Sequence, residues 1–171
     1  MKHENKANMD GETHTDWQTP PILFDRLNAM HDYAVDAAAD ITNHLVPVWY
    51  GLGSAVPDAL DPTLDWLSPA FCNPPYGKGL GFWLQKFCTE AQKGCKIVTV
   101  LPARIEARWW YRYVACQPTW ISFLVGRVPF VHPNHQGPSR PGYPTALVFY
   151  GFGAHTVSWV DWKKGGCLGP Y

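Results

Sequence analysis

Polar and apolar positions divide this chain into a short polar start and a long patterned remainder. Residues 1–15 carry no apolar periodicity and predict a flexible arm, which leaves one folded domain over residues 16–171. A helix is expected next, with Thr19 as its N-cap, because Pro20 and Pro21 are tolerated in a first helical turn. The apolar residues that follow give this helix one buried face.

A short strand, an unclear stretch and one strong helical pattern come after it. The strand is expected to end at Asp36, whereas residues 40–68 have no clear period and predict only a strand over 45–50. Residues 79–93 predict an amphipathic helix that Gly94 ends. Its apolar positions are Leu80, Trp83, Leu84, Phe87, Cys88 and Ala91.

Strands are also expected on both sides of that helix. Residues 70–72 form an apolar run directly before Asn73, and residues 96–101 form a β-branched run that Pro102 stops. A second helix is expected over residues 105–116. Further strands are expected at residues 120–125, 128–131 and 145–150.

The order of these elements predicts the fold class. Strands that alternate with helices are typical of a parallel α/β sheet, and closing strands without helices between them predict an antiparallel hairpin at the C-terminal edge. Ligands of such sheets bind outside the carboxyl ends of the strands. Asp36 and Asn73 both stand at the ends of predicted strands, so we expect both at one binding edge.

Composition indicates a folded protein but does not decide whether it binds nucleic acid. Hydrophobic residues make up 46% of the chain and charged residues 16%, which excludes a disordered chain. Nine Trp, eight Tyr and eight Phe supply rings for a core or for stacking on a flat ligand. The net charge is zero, so the basic surplus that drives non-specific nucleic-acid binding is missing. Charge can still be separated by face, since arginines concentrate in the second half, at Arg104, Arg108, Arg112, Arg127 and Arg140.

Cysteine and histidine spacing indicates neither disulfides nor a metal. The five cysteines are irregularly spaced, and no two of them have the C-x-x-C spacing of a zinc knuckle. His132 and His135 are three positions apart but lack further ligands, so no metal is expected. The start of the chain has no signal-like apolar segment, and no apolar run approaches about 18 residues. We therefore expect a cytoplasmic protein without membrane contact.

The segment Asn73-Pro74-Pro75-Tyr76 is the strongest candidate for chemistry. Its prolines donate no N–H and hold the residues before them extended, so the loop is stiff and presents acceptors. These acceptors are the Asn73 side-chain oxygen and the Pro74 carbonyl, followed by the ring of Tyr76. An aryl amine is a poor nucleophile, and two acceptors on its N–H groups would aim its lone pair at an activated methyl group. The alternative is a proline-rich turn with no chemistry.

This loop and several other segments together resemble the phage-type DNA N-6-adenine methyltransferase (Dam) family. The resemblance covers about residues 16–150. It implies a single-domain, Rossmann-like class I methyltransferase that uses S-adenosylmethionine and acts on a specific site in double-stranded DNA. The segments that carry it are residues 16–24, Asp36-Ala37-Ala38-Ala39, Asn73-Pro74-Pro75-Tyr76, Leu101-Pro102-Ala103-Arg104 with Trp109, and Gly126-Arg127 with Phe130.

The resemblance also implies roles for individual residues. The catalytic loop would consist of Asn73, Pro74, Pro75 and Tyr76. The S-adenosylmethionine site would be lined by Thr19, Pro20, Asp36, Ala37 and Asp58. The pocket for the target base would be formed by Tyr76, Phe130 and Arg104. Many methyltransferases have a glycine-rich loop after the first strand, whereas here no glycine follows Asp36 until Gly51.

Other substrates and partners stay open at the level of sequence. The same loop would polarise an RNA adenine or a protein glutamine, and an inactive relative would only bind DNA. A glutamine enzyme would normally need a separate recognition domain, for which 171 residues leave no room. The target sequence, the oligomeric state and any restriction partner are not indicated. Residues 40–66 and 132–144 are the expected recognition loops, the second with Asn134, Gln136 and Arg140.

Overall fold

The computed structural model describes residues 17–132, 142–153, 155–165 and 167–170. These residues form a six-stranded sheet with a helix packed on each face. The elements are α1 (Pro21–His31), β1 (Val35–Asp36), β2 (Ala70–Cys72), α2 (Leu80–Gln92), β3 (Ile97–Pro102), α3 (Arg108–Trp110), which continues as a π-helical turn (Tyr111–Ala115), β4 (Trp120–Leu124), β5 (Thr145–Tyr150) and β6 (Thr156–Val160). The predicted arm over residues 1–15 and the candidate residues Asn134, His135, Gln136 and Arg140 lie outside the described residues.

The sheet is mixed, with the order β1-β2-β3-β5-β4-β6. Strands β1, β2 and β3 are parallel, β5 runs antiparallel to both β3 and β4, and β6 runs parallel to β4. The carboxyl ends of β1, β2 and β3 therefore lie at one edge of the sheet, together with the start of β5. This edge is where a parallel α/β sheet places its ligands.

Alternation along the strands separates two apolar cores. On β3, for example, Ile97 and Leu101 face one core while Val98 and Val100 face the other. The first core receives α2, and the second receives α1. Among the described residues, no helix combines the length and the apolar character needed to cross a bilayer.

Several predicted elements are confirmed. The strongly periodic helix appears as α2, and Gly94 follows it with a φ of +96°, a left-handed conformation that glycine adopts without strain. The apolar runs appear as β2, β3, β4 and β5. Pro102 is the last paired residue of β3, opposite Thr145, rather than the residue after the strand. A proline is tolerated there because it closes the strand.

The first half of the chain requires two corrections. Helix α1 begins at Pro21 with Pro20 as its N-cap, and the hydroxyl of Thr19 makes no capping bond. The predicted strand over 45–50 is absent; Trp49 only forms an isolated bridge with Asp36. Pro47 lies inside this segment and lacks the N–H that a continued ladder would use.

The second half differs from prediction in three respects. The expected helix over 105–116 shrinks to α3 and its π-helical turn, and residues 128–131 form only a bridge between Val131 and Gln18. The expected antiparallel hairpin is confirmed in part, because β4 and β5 pair antiparallel, but its placement at the C-terminal edge is wrong. Strand β5 is antiparallel but lies inside the sheet, while the edge belongs to β6, a strand not anticipated, which runs parallel to β4.

Candidate active site

The Asn73–Tyr76 loop leaves the sheet at the carboxyl end of β2. Cys72 is the last paired residue of that strand, opposite Thr99. Pro74 and Pro75 cannot donate to a ladder, so the chain departs from the sheet at this point. Pro74 is buried and Asn73 is half-buried, which places the amide at the boundary between core and surface.

Hydrogen bonds fix the orientation of the Asn73 amide. Its Nδ2 donates to the carbonyl of Trp17 at 2.9 Å, and its Oδ1 accepts from the hydroxyl of Tyr76 at 3.0 Å. A backbone carbonyl only accepts, so the NH₂ group must face Trp17 and the oxygen must face Tyr76. An amide oxygen has two lone pairs, which leaves the Asn73 oxygen with capacity for a second donor.

Tyr76 is anchored at its hydroxyl end. Besides Asn73, the carbonyl of Val100 on β3 lies 2.9 Å from this hydroxyl. Burial raises the pKa of the Tyr76 phenol far above its usual value, with a smaller contribution from the nearby Cys72, so the group stays a neutral donor. The ring is thereby held between the loop and the sheet.

On one side of the loop lies a hollow of about 530 Å³, here called the aromatic cavity. Its lining includes all three residues predicted for the base pocket, which are Tyr76, Phe130 and Arg104. Its volume falls within the range of about 300–1,000 Å³ that is usual for small-molecule sites. The full lining is Trp17, Tyr76, Gly77, Leu80, Pro102, Arg104, Trp109, Phe130, Gly142, Tyr143 and Thr145.

Arg104 is partly engaged by neighbours. Its Nε donates to a carboxylate oxygen of Glu106 at 2.8 Å, and its guanidinium lies 4.6 Å from the ring centre of Tyr143. Guanidinium groups stack favourably on aromatic faces. Because the side chain is 40% exposed, these contacts hold a cation at the mouth of the aromatic cavity rather than bury it.

On the other side of the loop lies a hollow of about 370 Å³, here called the polar cavity. Asp58, for which the resemblance implies a cofactor contact, lines it. The prediction for Ala37 needs correction: its side chain is fully buried in the core, and Ala38 and Ala39 line the cavity instead. The full lining is Gln18, Ala38, Ala39, Asp40, Thr42, Asn43, Tyr50, Gly51, Pro57, Asp58, Ala59, Leu60, Asn73, Pro75 and Trp83.

A narrower hollow of about 50 Å³, here called the inner cleft, contains Thr19, Asp36 and Asn73. The Thr19 side chain is buried, and its hydroxyl has no hydrogen-bond partner among the described residues. Buried hydroxyls are normally satisfied, so this one is available to a ligand or a water. Pro20 lies beside it, but its carbonyl accepts from the N–H groups of Leu23 and Phe24, and it lines none of these three hollows.

Asp36 is a buried carboxyl that lines the inner cleft. Burial raises its pKa to about 6, although the N–H groups of Leu45 and Ala38 and the nearby His44 act in the opposite direction. The two N–H groups lie 3.2 and 3.4 Å from its carboxylate oxygens. Asp36 thus both shapes the 36–45 segment and places a titratable group in the inner cleft.

Several lining residues were not predicted as site residues. They include Trp17 and Tyr143 in the aromatic cavity and Asp40, Tyr50 and Trp83 in the polar cavity. The richness in aromatic residues was a general signal for them, but their positions were not. In the described parts of the chain, no group of three or more His, Cys, Asp or Glu side chains is placed to hold a metal ion.

Comparison with known proteins tests the resemblance directly. Residues 6–152 match the family described as DNA N-6-adenine-methyltransferase (Dam). A search of the curated proteins finds no match. The family match begins earlier than the segment on which the resemblance was based, and it includes the Asn73–Tyr76 loop and every lining residue of the two cavities. The chain therefore belongs to the DNA N-6-adenine-methyltransferase (Dam) family.

Proposed function

We propose that this chain transfers a methyl group from S-adenosylmethionine to the exocyclic N6 amine of adenine, at a specific site in double-stranded DNA. One observation carries this proposal. The Asn73–Tyr76 loop separates two hollows, with Asn73 lining the polar cavity and Tyr76 lining the aromatic cavity. A group held at the loop on the aromatic side would meet a methyl donor held on the polar side.

The volume and the lining of the aromatic cavity suit an adenine. Rings of Tyr76, Trp109 and Phe130 line it, and bases stack favourably on such rings. A base inside a duplex cannot reach a side-chain pocket, so the adenine must first be extruded from the helix. Arg104, at the mouth of the cavity, would then face the DNA backbone next to the extruded base.

The loop would hold and polarise the target amine. The free lone pair of the Asn73 oxygen and the carbonyl of Pro74 accept the two N–H groups, which turns the nitrogen lone pair toward the polar cavity. The loop is rigid and its amide is already oriented by Trp17 and Tyr76, so little reorganisation is needed during transfer. The surplus proton becomes acidic once the nitrogen is methylated and then leaves to solvent, so a strong base is not required before that point.

The residues around the polar cavity and the inner cleft fit S-adenosylmethionine. The hydroxyl of Thr19 is buried without a partner, and the carboxylates of Asp36 and Asp58 suit a ligand that carries positive charge and ribose hydroxyls. The small side chains of Ala38 and Ala39 permit a close approach of the backbone. When bound, the cofactor supplies an activated methyl group on a cationic sulfur.

Supplying isotopically labelled S-adenosylmethionine with plasmid DNA, RNA or protein as acceptor tests the proposal. Label should appear in DNA alone, as N6-methyladenine, and sequencing of the plasmid with base-modification detection should place it in one sequence context. Incorporation into RNA or into protein glutamine would replace the proposed substrate. Absence of any transfer, with DNA still bound, would identify an inactive DNA-binding relative.

A further inference from the structure

Helix α2 contains a buried ion pair that the proposed chemistry does not use. Lys86 Nζ lies 3.0 Å from a carboxylate oxygen of Glu90, and the two side chains are only 6% and 1% exposed. Burial of two charges costs several kcal/mol unless further hydrogen bonds compensate it. The groups that hydrogen-bond to this ion pair therefore show which part of the fold it stabilises.

Those partners belong to one irregular segment, residues 57–66, here called the wall segment. Lys86 donates to the carbonyl of Asp61 at 2.9 Å and to that of Leu64 at 2.6 Å. Glu90 accepts the backbone N–H of Trp66 at 2.9 Å through its second oxygen. Because the wall segment contains no helix or strand, these side chains satisfy backbone groups that regular structure would otherwise satisfy.

The wall segment is also one side of the polar cavity. Its residues Asp58, Ala59 and Leu60 line that cavity. The indole N–H of Trp66 donates to the carbonyl of Ala59 at 2.9 Å, which ties the end held by Glu90 to the lining. A continuous set of contacts therefore leads from the buried ion pair to the cavity surface.

We propose that Lys86 and Glu90 are positioning residues that set the affinity of the polar cavity for its ligand by holding the wall segment in place. The inference rests on the proposed function in taking S-adenosylmethionine as that ligand. Without the pair, the carbonyls of Asp61 and Leu64 turn toward water. The wall then occupies several conformations, of which only a fraction binds, and the apparent affinity falls by that fraction.

The Lys86→Met/Glu90→Leu double variant tests this role without leaving a buried charge unpaired. Replacing a buried ion pair by apolar residues of similar size often preserves stability, so the variant should fold. We expect its dissociation constant for S-adenosylmethionine, measured by calorimetry, to rise about tenfold. Hydrogen exchange should accelerate over residues 57–66, while the DNA affinity and the rate at saturating cofactor stay unchanged.

Lys93→Met is the matched control. Lys93 contacts the same Glu90 at 3.0 Å and, at 2.6 Å, the exposed side chain of Asp65 in the wall segment, but it bonds no backbone group of that segment. Its cofactor affinity should equal that of the unaltered protein. All measurements are made well below each variant's melting midpoint, so that loss of folded protein does not imitate loss of affinity.

Two results would overturn the inference. One is a folded double variant that binds the cofactor as the unaltered protein does, with unchanged exchange over the wall segment. The other is an equal loss of affinity in Lys93→Met, which would show that the bonds of Lys86 and Glu90 to the wall backbone do not set the affinity. If the unaltered protein itself binds no S-adenosylmethionine, the proposed function fails instead. The role of the ion pair in holding the wall segment would then still be supported by slower exchange of residues 57–66 in the unaltered protein than in the double variant.

Discussion

The aromatic and polar cavities share the Asn73–Tyr76 loop as a common wall but differ in the charge of their linings. The charged residue that lines the aromatic cavity is a cation, Arg104. The charged residues that line the polar cavity are carboxylates, Asp40 and Asp58. The net charge of zero therefore conceals a separation of charge between the linings of the two cavities, which Glu106 reduces by pairing with Arg104 from outside the lining.

This separation matches the charges of the two proposed ligands. DNA brings phosphates to the aromatic side, where a cation attracts them. The methyl donor brings a positive sulfur to the polar side, where carboxylates attract it. A neutral chain can thus serve both ligands, and the lack of a basic surplus does not argue against DNA as a substrate.

The cavities also differ in how their walls are built. Much of the aromatic wall stands directly on the sheet, through Pro102 at the end of β3 and Thr145 at the start of β5. Much of the polar wall is irregular chain over residues 38–60, held by hydrogen bonds such as those of Asp36 with Leu45 and Ala38. The polar side therefore depends more on individual buried side chains than the aromatic side does.

The largest effect is expected at the shared wall. Asn73→Ala removes the oriented oxygen that grips the amine but leaves most of both cavities in place. Loss of one preorganised polar group costs about a hundredfold or more in transfer rate. Single-turnover rates should fall by that amount, while the affinities for cofactor and DNA change little.

Asn43→Ala is the control for this variant, since Asn43 lines the polar cavity and the inner cleft with Asn73, but its side chain bonds Asp40 and not the loop. Its transfer rate at saturating cofactor should be unchanged. A collapse of cofactor affinity in Asn73→Ala, with normal transfer at saturation, would move Asn73 from the target amine to the cofactor.

The next effect concerns the buried carboxyl of the inner cleft, Asp36. Burial raises the pKa of Asp36 to about 6 from an ordinary value of 3.8, so the folded protein binds this proton more tightly than the unfolded chain. The resulting stabilisation is complete below about pH 4 and is lost as the pH rises through 6, a difference of about 3 kcal/mol. The Asp36→Asn variant has no titrating group at this position and keeps the same stability as the pH rises. The difference in the free energy of unfolding, variant minus unaltered protein, should therefore increase from about pH 4 to above pH 6.

Urea unfolding at a series of pH values measures that difference. Asp61→Asn is a control of opposite sign, because a hydrogen bond from the Thr63 side chain lowers the pKa of this exposed carboxyl. A flat difference for Asp36→Asn would show that the Asp36 carboxyl is better solvated than its surroundings indicate.

Sequence predicted those parts of the molecule whose structure is determined by residues within the same element. Helix α2 follows from the spacing of its own apolar residues, and strand β2 follows from a short apolar run. The placement of Asp36 and Asn73 near one another also followed, because parallel strands bring their carboxyl ends to one edge. Strand β6 had the same kind of signal in its β-branched and aromatic residues and could have been predicted.

The parts that sequence did not predict depend on distant partners. The irregular stretch over residues 40–68 is held by Asp36, Lys86 and Glu90, and no local pattern shows that these side chains reach it. Ala37 illustrates a different limit. Its side chain is fully buried in the first core whereas the adjacent Ala38 lines the polar cavity, and the local sequence Ala37-Ala38-Ala39 does not distinguish the two positions.

An intermediate effect is expected from a ring of the aromatic cavity. Trp109 is half-buried and lines the cavity, and a stacked ring contributes about 1–3 kcal/mol per base. Trp109→Ala should therefore weaken binding of a duplex that carries the mapped target about 5- to 150-fold. Cofactor affinity should not change. Trp159→Ala is the control, because Trp159 is exposed on β6 and lines neither cavity; an equal loss in both variants would remove Trp109 from the base pocket.

The smallest effect should come from an exposed carboxylate of the polar cavity. Asp58 lines the cavity while accepting the N–H of Leu60 at 2.8 Å, so Asp58→Ala removes one ligand contact in a solvated place. We expect the dissociation constant for S-adenosylmethionine to rise about three- to tenfold, and DNA affinity to stay the same. Asp25→Ala carries the same charge change at an exposed position of α1 that lines none of the three hollows, and it should leave both affinities unaltered. Should Asp58→Ala weaken DNA binding while sparing the cofactor, the two cavities would have to exchange their ligands, because a carboxylate that attracts a positive sulfur cannot also face phosphates favourably.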